Sequence, residues 1–331
     1  MVVELADRPA SSCAVSFQDL EFERVLVRAY TYGILHYRSV QVRMPKIPQS
    51  VLKSTFFLYE TAEAAESAAD PKGTGFIVFL PSRRDPRRGI FIGITNWHVS
   101  TQIAPVVRLN KRDGTSAIFD FDTSEWTYEP RGDDISYIHL PVDQAIHDIT
   151  AVPFGLFATE EWVTGNQVGV GDDAFMFGLF VDSRHHSTNI PAARFGNISM
   201  VSCQVKQATG CLMPSIVVDM HSRTGFSGSP VFVYRTIGSN LDHANSTNLI
   251  LSQDSIFAFL GLHWGQFPEE WKVAGQTLSE PDRRFWGMSG LTMVVPAWRI
   301  RRMIMSDTKI AAIMTEAEKW TIGDASPPPF A

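Results

Sequence analysis

An all-β fold in two halves is the architecture the sequence predicts, with an N-terminal extension before it and a helix after it. Three observations predict it. From Gly73 onward, short runs of strand-forming residues alternate with Gly, Pro, Asn and Asp turn signals at the spacing of a β-barrel or sandwich. The runs fall into two groups, separated by a linking segment at Pro141–Trp162. After the last run, Pro296 opens a helix with one apolar face. The organisation that follows is an extension at 1–50, a first β half at 51–145, a second β half with the helix at 146–306, and a tail at 307–331.

The elements can be taken in order. Alternation at Val40–Met44 suggests a strand in the extension, after a segment (Phe17–Leu35) with no dominant period. Lys53–Tyr59 is rich in strand formers, and the alanine- and glutamate-rich Thr61–Asp70 reads as a helical or mobile insertion. Gly75–Leu80 and Ile90–Thr95 form a hairpin around the charged turn Pro81–Gly89; strands follow at Val106–Leu109, Trp126–Tyr128 and from Ile135. The second half is predicted to hold strands at Gln167–Val170, Ala174–Phe180, Phe195–Val205, Ser215–Asp219, Val231–Tyr234, Ser255–His263 and Leu291–Val295. In the final helix Trp298, Ile300 and Ile304 face the body, while Arg299, Arg301 and Arg302 are expected to face water. The tail Gly323–Ala331, with three consecutive prolines, is expected to be disordered.

Composition excludes several classes. The 331 residues are 44% hydrophobic, enough for a large core, and no window approaches the run of about 20 apolar residues that spans a bilayer. The N-terminus has an early acid and no apolar core of signal-peptide length, so the chain reads as soluble, unexported and cytoplasmic. A net charge of −6 argues against nucleic acid as partner. Three cysteines, Cys13, Cys203 and Cys211, are too few and too scattered for a disulfide framework; a Cys203–Cys211 bridge across a hairpin is the alternative to free buried thiols.

The stretch that carries chemistry is His221–Tyr234. It sets Ser227 in a turn between Gly225 and Gly228, immediately before an apolar strand fixed by Pro230. A serine hydroxyl becomes a nucleophile only when a base takes its proton and N–H groups hold the oxyanion. Glycine on both sides permits the backbone angles that aim successive N–H groups inward. Position 229 is serine, so the Gly-x-Ser-x-Gly elbow of α/β-hydrolases is absent.

The Gly225-x-Ser227-Gly228-x-Pro230 pattern resembles the nucleophile loop of trypsin-like, chymotrypsin-fold serine proteases. Thr95-Asn-Trp-His98 is similar to the segment around that family's catalytic histidine, and the Gly73-x-Gly75-Phe-Ile-Val strand before it resembles the bacterial members'. Asp134, heading the run from Ile135, resembles the family's aspartate segment. Asp133 is its rival, and alternation along a strand lets only one of the two reach His98. The order His98, Asp134, Ser227 is the chymotrypsin order.

The resemblance implies two antiparallel six-stranded β-barrels with the site between them. It also implies Ser227 as nucleophile, His98 as base, Asp134 as orienting carboxylate, and Gly225 and Ser227 as oxyanion hole. The substrate is then a polypeptide, with no cofactor and no metal. Phe226 departs from the secreted members, which carry an aspartate there for a newly cut N-terminus, and this suggests that no such cleavage is needed. It leaves open what holds the oxyanion turn, and with it a second reading, an inactive protease-fold peptide-binding protein.

Gly261–Gly265 resembles the substrate-pairing strand, with His263, Trp264 and Gly265 as substrate-binding residues and His221 near the pocket base. Two registers are open. Anchored on Gly261, His263 falls where glutamyl endopeptidases and picornaviral proteases read Glu or Gln at P1. Anchored on Trp264-Gly265, its side chain turns away. His185 and His186 read as a polar loop, since no acidic or cysteine partner stands at metal-ligand spacing. His139 reads as a satisfied strand residue, while His36, His147 and His243 carry no pattern; Gly169 and Gly171 lack the third glycine of a dinucleotide loop.

Overall fold

The computed structural model describes residue 47 and residues 49–180, 187–207, 209–235, 256–272 and 284–319. The expectations for Phe17–Leu35, Val40–Met44, Cys13, His36, His185, His186, His243 and the tail Gly323–Ala331 lie outside the described residues.

The first half is an eight-stranded sheet. Its strands are β1 (Thr55–Tyr59), β2 (Gly73–Pro81), β3 (Gly89–Thr95), β4 (Val106–Asn110), β5 (Ser116–Phe119), β6 (Thr127–Tyr128), β7 (Ser136–Leu140) and β8 (Val152–Pro153). The order is β5-β4-β1-β2-β3-β7-β6, and β8 runs parallel to β2. Short helices α1 (Gln49–Leu52), α2 (Ala62–Glu66) and α3 (Trp97–Ser100) interrupt it.

The second half begins after helix α4 (Glu160–Gly165). It is a closed barrel of β9 (Asp173–Leu179), β10 (Pro191–Lys206), β11 (Leu212–Asp219), β12 (Pro230–Arg235), β13 (Ile256–Lys272) and β14 (Arg284–Pro296). The order around it is β10-β11-β14-β13-β12-β9, with β9 pairing β10 to close it. Helices α5 (Ala297–Ser306) and α6 (Thr308–Lys319) follow. An all-β chain of two barrel-like sheets with C-terminal helices is the chymotrypsin-type arrangement.

The apolar runs of β2 and β3 read as continuous because both faces are buried, each in a different core. On β2, Phe76, Val78 and Leu80 enter a core shared with the second barrel, while Ile77 enters the first half's own core with Phe56, Leu58, Val107 and Leu109. Ile90, Ile92 and Ile94 of β3 repeat the shared-core face. The two halves meet at Phe259 of β13. Its ring lies 5.1 Å from Phe76 of β2, 4.4 Å from Phe157 of the linking segment and 5.7 Å from Phe232 of β12. Strand β10, by contrast, alternates less and more exposed residues on either side of a register shift after buried Ile198, as expected where one face meets water.

Several sequence expectations are corrected. Gln167–Val170 is not a strand; Gln167 takes φ +51° in a turn whose Gly169 N–H donates to Asp172 Oδ2. The short β5 and β8 were not foreseen, and β13 and β14 run well past their apolar segments as one long hairpin. Arg299 does not face water. It pairs with the carboxylate of Asp133, which is 8% exposed, and Arg301 lies over the ring of Phe154 at 4.7 Å. Cys203 and Cys211 are unbridged and half-buried rather than buried. Among the described residues no helix is long and apolar enough to cross a membrane.

Because Phe259 contacts both halves, Phe259→Ala opens a cavity where they join. The expected cost is about 3–5 kcal/mol, read as a lower denaturant midpoint at unchanged slope.

Candidate active site

The site is assembled from the end of β3, the turn before β7, the turn before β12, and β13. Thr95 ends β3 and donates from Oγ1 to Thr74 O at 2.7 Å. The chain then turns into α3, which carries His98. Asn96 precedes that helix and donates from Nδ2 to Asp134 O at 2.9 Å, tying the histidine's segment to the aspartate's. His98 Nδ1 lies 2.6 Å from Asp134 Oδ2, and His98 N–H donates to Asp134 Oδ1 at 3.0 Å. A carboxylate accepts, so Nδ1 carries the proton and Nε2 keeps its lone pair for another group. Asp134 is fully buried, and its own N–H donates to Gln207 Oε1 at 2.9 Å. Its neighbour Asp133 turns the other way, toward Arg299.

Two turns of the same kind shape the serine loop, and Ser227 is the second residue of the later one. Phe226 N–H donates to Arg223 O at 3.1 Å, with Gly225 at φ +95°; Ser229 N–H donates to Phe226 O at 2.9 Å, with Gly228 at φ +87°. Positive φ at the third position is the type II form, and glycine there carries no strain. At Gly228 the space is closed as well, since a Cβ would lie 1.9 Å from Thr74 O. Gly228 N–H donates to His263 O at 3.0 Å, so Phe226, Gly228 and Ser229 have spent their donors. The N–H groups of Gly225 and Ser227 meet no acceptor among the described residues.

Thr74 of β2 holds this turn. Its N–H donates to Ser227 O at 2.9 Å, its hydroxyl donates to Gly225 O at 2.7 Å, and the same hydroxyl accepts from Leu179 N–H at 2.8 Å. Next to it, a Cβ on Gly73 would come within 2.6 Å of Val99 Cγ1 and 3.4 Å of Ser227 O. Position 73 therefore lies between the residue after His98 and the serine's own carbonyl. Ser227 is partly exposed, and its Oγ makes no hydrogen bond among the described residues. The structure thus brings the histidine, the aspartate and the serine turn to one strand end, with the serine hydroxyl unengaged.

His263 is 2% exposed and points inward. Its backbone pairs with the serine turn, N–H donating to Ser229 O at 2.9 Å. Its Nε2 lies 2.9 Å from Ser222 Oγ, and Nδ1 lies 3.3 Å from Met293 O. A carbonyl only accepts, so Nδ1 bears the proton and Nε2 accepts from Ser222. Burial pushes the His263 pKa down to about 4, with the carbonyl of Met293 opposing and nearby His98 adding to the shift. Trp264 is buried, Gly265 half-buried, and His221 exposed beside Gly290.

Thr74, Gln207, Ser222 and Arg299 were missed in the sequence. Each acts through a hydrogen bond to a residue distant in the chain, for which no local pattern exists. Among the described residues no group of three or more His, Cys, Asp or Glu side chains could hold a metal ion.

No known protein-family profile matches the sequence, and no curated protein does. Solved structures similar to the chain include the MamO protease domain from Magnetospirillum magneticum in its apo form. That match has 14% identity and a TM-score of 0.46, over 77% of this chain and 97% of that one. Human heparin binding protein is similar at 9% identity and a TM-score of 0.42, over 80% of this chain and 95% of that one. The HtrA-type protease AlgW with decapeptide is similar at 14% identity and a TM-score of 0.39, over 76% of this chain, which spans about half (52%) of that one. These overlaps are loose, so fold and site are read from this chain's own strand order, register and distances.

The buried His263 links the site to pH. Its folded pKa, about 4, lies below the 6.5 of the unfolded chain, so the unfolded state takes up the proton first as pH falls. Its contribution to stability is level above pH 6.5, declines between 6.5 and 4, and is level again below 4. About 3 kcal/mol is at stake. In denaturant titrations, His263→Gln is expected to lack this part of the wild-type decline.

Proposed function

We propose that this chain is a serine endopeptidase. The observation that carries the reading is the pairing of His98 with buried Asp134 beside a serine turn in which two N–H groups meet no acceptor among the described residues. In this mechanism Ser227 Oγ attacks the carbonyl carbon of a peptide bond while His98 Nε2 takes the hydroxyl proton. Asp134 keeps the imidazole in the required tautomer and stabilises the imidazolium. The N–H groups of Gly225 and Ser227 receive the negative oxygen of the tetrahedral intermediate. His98 then protonates the leaving amine, and water, deprotonated by the same nitrogen, releases the acyl group from Ser227.

The substrate chain is placed along β13. Strand β12 pairs β13 only as far as Leu262, while β14 pairs it out to Lys272. Beyond His263, the β13 edge away from β14 has no strand partner among the described residues, which suits addition of an extended polypeptide. A neutral imidazole and a hydroxyl, His263 and Ser222, lie at the end nearest the serine. With their protons spent on Met293 O and His263 Nε2, the free lone pair of Ser222 Oγ can accept from a carboxamide N–H, whereas a carboxylate buried there would meet no free donor and no cation.

A fluorophosphonate is expected to label the native protein, and Ser227→Ala to abolish labelling; persistent labelling in that variant removes Ser227 from the role. Among peptides differing only at P1, Gln is expected to exceed Glu in kcat/KM by about tenfold or more at pH 7. Preference for Glu would refute the neutral-imidazole pocket while leaving the peptidase reading intact. The unengaged Ser227 hydroxyl favours a second reading, a peptide-binding protein that does not cleave. Peptide binding unchanged by Ser227→Ala, with no turnover from a broad peptide library, selects it.

A further inference from the structure

Phe226 stands in the middle of the serine turn with its ring wholly buried. Thr74 holds the carbonyls on either side of it, those of Gly225 and Ser227. The ring is the turn's other anchor, and its surroundings decide how firmly the turn is set. A Cβ on Gly178 of β9 would lie 3.2 Å from Phe226 Cδ1, so the ring is packed against that strand. Over its face lies the guanidinium of Arg194, with the central carbon 5.6 Å from the ring centroid. Arg194 comes from β10, where it pairs with Met176.

Arg194 Nε is buried and has no hydrogen-bond partner among the described residues. The side chain also lines an open groove of about 460 Å³ with Phe195, Asp219, Met220 and His221. A cation whose inner nitrogen is unpaired is held by the negative face of the ring beneath it. We propose that Arg194 is a positioning residue for the oxyanion turn, acting through Phe226. Its charge over the ring fixes the ring, and through it the peptide groups that leave the N–H of Gly225 and of Ser227 without an acceptor. Without the cation one ring face opens to the groove, the ring gains a second position, and the fraction of molecules presenting both N–H groups falls.

The kinetic consequence rests on the peptidase reading; the structural one does not. Both are measured on the whole chain, ¹⁵N-labelled. Arg194→Met keeps the stem and removes the charge, Arg194→Gln removes it with a polar end, and Arg194→Lys keeps it. In the Met and Gln variants the amide signals of Gly225 and Ser227 are expected to shift or broaden. The fluorophosphonate labelling rate and kcat should fall about tenfold, with KM and melting temperature nearly unchanged. The Lys variant is expected to recover most of the wild-type rate, and Arg194→Met is expected to add nothing to Phe226→Leu, which already lacks the ring. Wild-type amide signals and rates in the Met and Gln variants, or a full additional effect in the double variant, overturn the proposal. If the wild-type protein neither labels nor cleaves, the peptidase reading falls, and the two amide signals alone decide the role of Arg194.

Discussion

Thr74 is the residue on which the site's geometry depends. Its N–H, hydroxyl and carbonyl reach the serine turn at two points, β9 at one and β3 at one. Two of those partners belong to the turn and one to the second barrel's first strand, while Thr74 itself is fully buried in a strand of the first sheet. Inside a protein each of these groups is expensive to leave unmade, so the four bonds stand or fall together. The two halves are joined by apolar packing around Phe259, which is not directional. Hydrogen bonds at Thr74 supply the direction, fixing the serine turn relative to β3 and the histidine that follows it.

Division of labour between the halves follows from this joint. The first sheet holds the histidine and aspartate, and the aspartate's backbone is braced by the side-chain amides of Asn96 and Gln207. The second barrel holds the serine turn and the buried imidazole of His263, whose carbonyl accepts from Gly228. Two imidazoles thus lie in this region in different surroundings. His98 faces a buried carboxylate, and His263 is kept neutral by burial.

How much of this was legible in the sequence depends on the range of the interaction. Positive-φ glycines flanking Ser227 and the alternation of β10 are local, and local pattern identified the segments. The choice between Asp133 and Asp134 was framed by strand alternation, and the structure turns one toward His98 and the other toward Arg299. The two registers open at His263 differed in where its ring points, and the ring turns inward to Ser222. What local pattern could not show is long-range pairing. Thr74 sits in a Gly-Thr-Gly run that looks like any strand start, although its hydroxyl bonds a carbonyl 151 residues away. Arg299 was assigned to water because helical periodicity places it beside Arg302, and nothing nearby signals a buried carboxylate 166 residues earlier. Gln167–Val170 failed for a different reason: four residues of strand-forming composition were overridden by the Asp172 carboxylate closing a turn.

The Asp133–Arg299 pair also bears on how the molecule comes into being. Asp133 is held largely out of water by a partner that leaves the ribosome only after both barrels have been synthesised. Until that helix arrives, the carboxylate adjoining Asp134 must stay hydrated, which keeps the start of β7 open to solvent. A nascent chain therefore carries Asp133 without its partner until both barrels have been made.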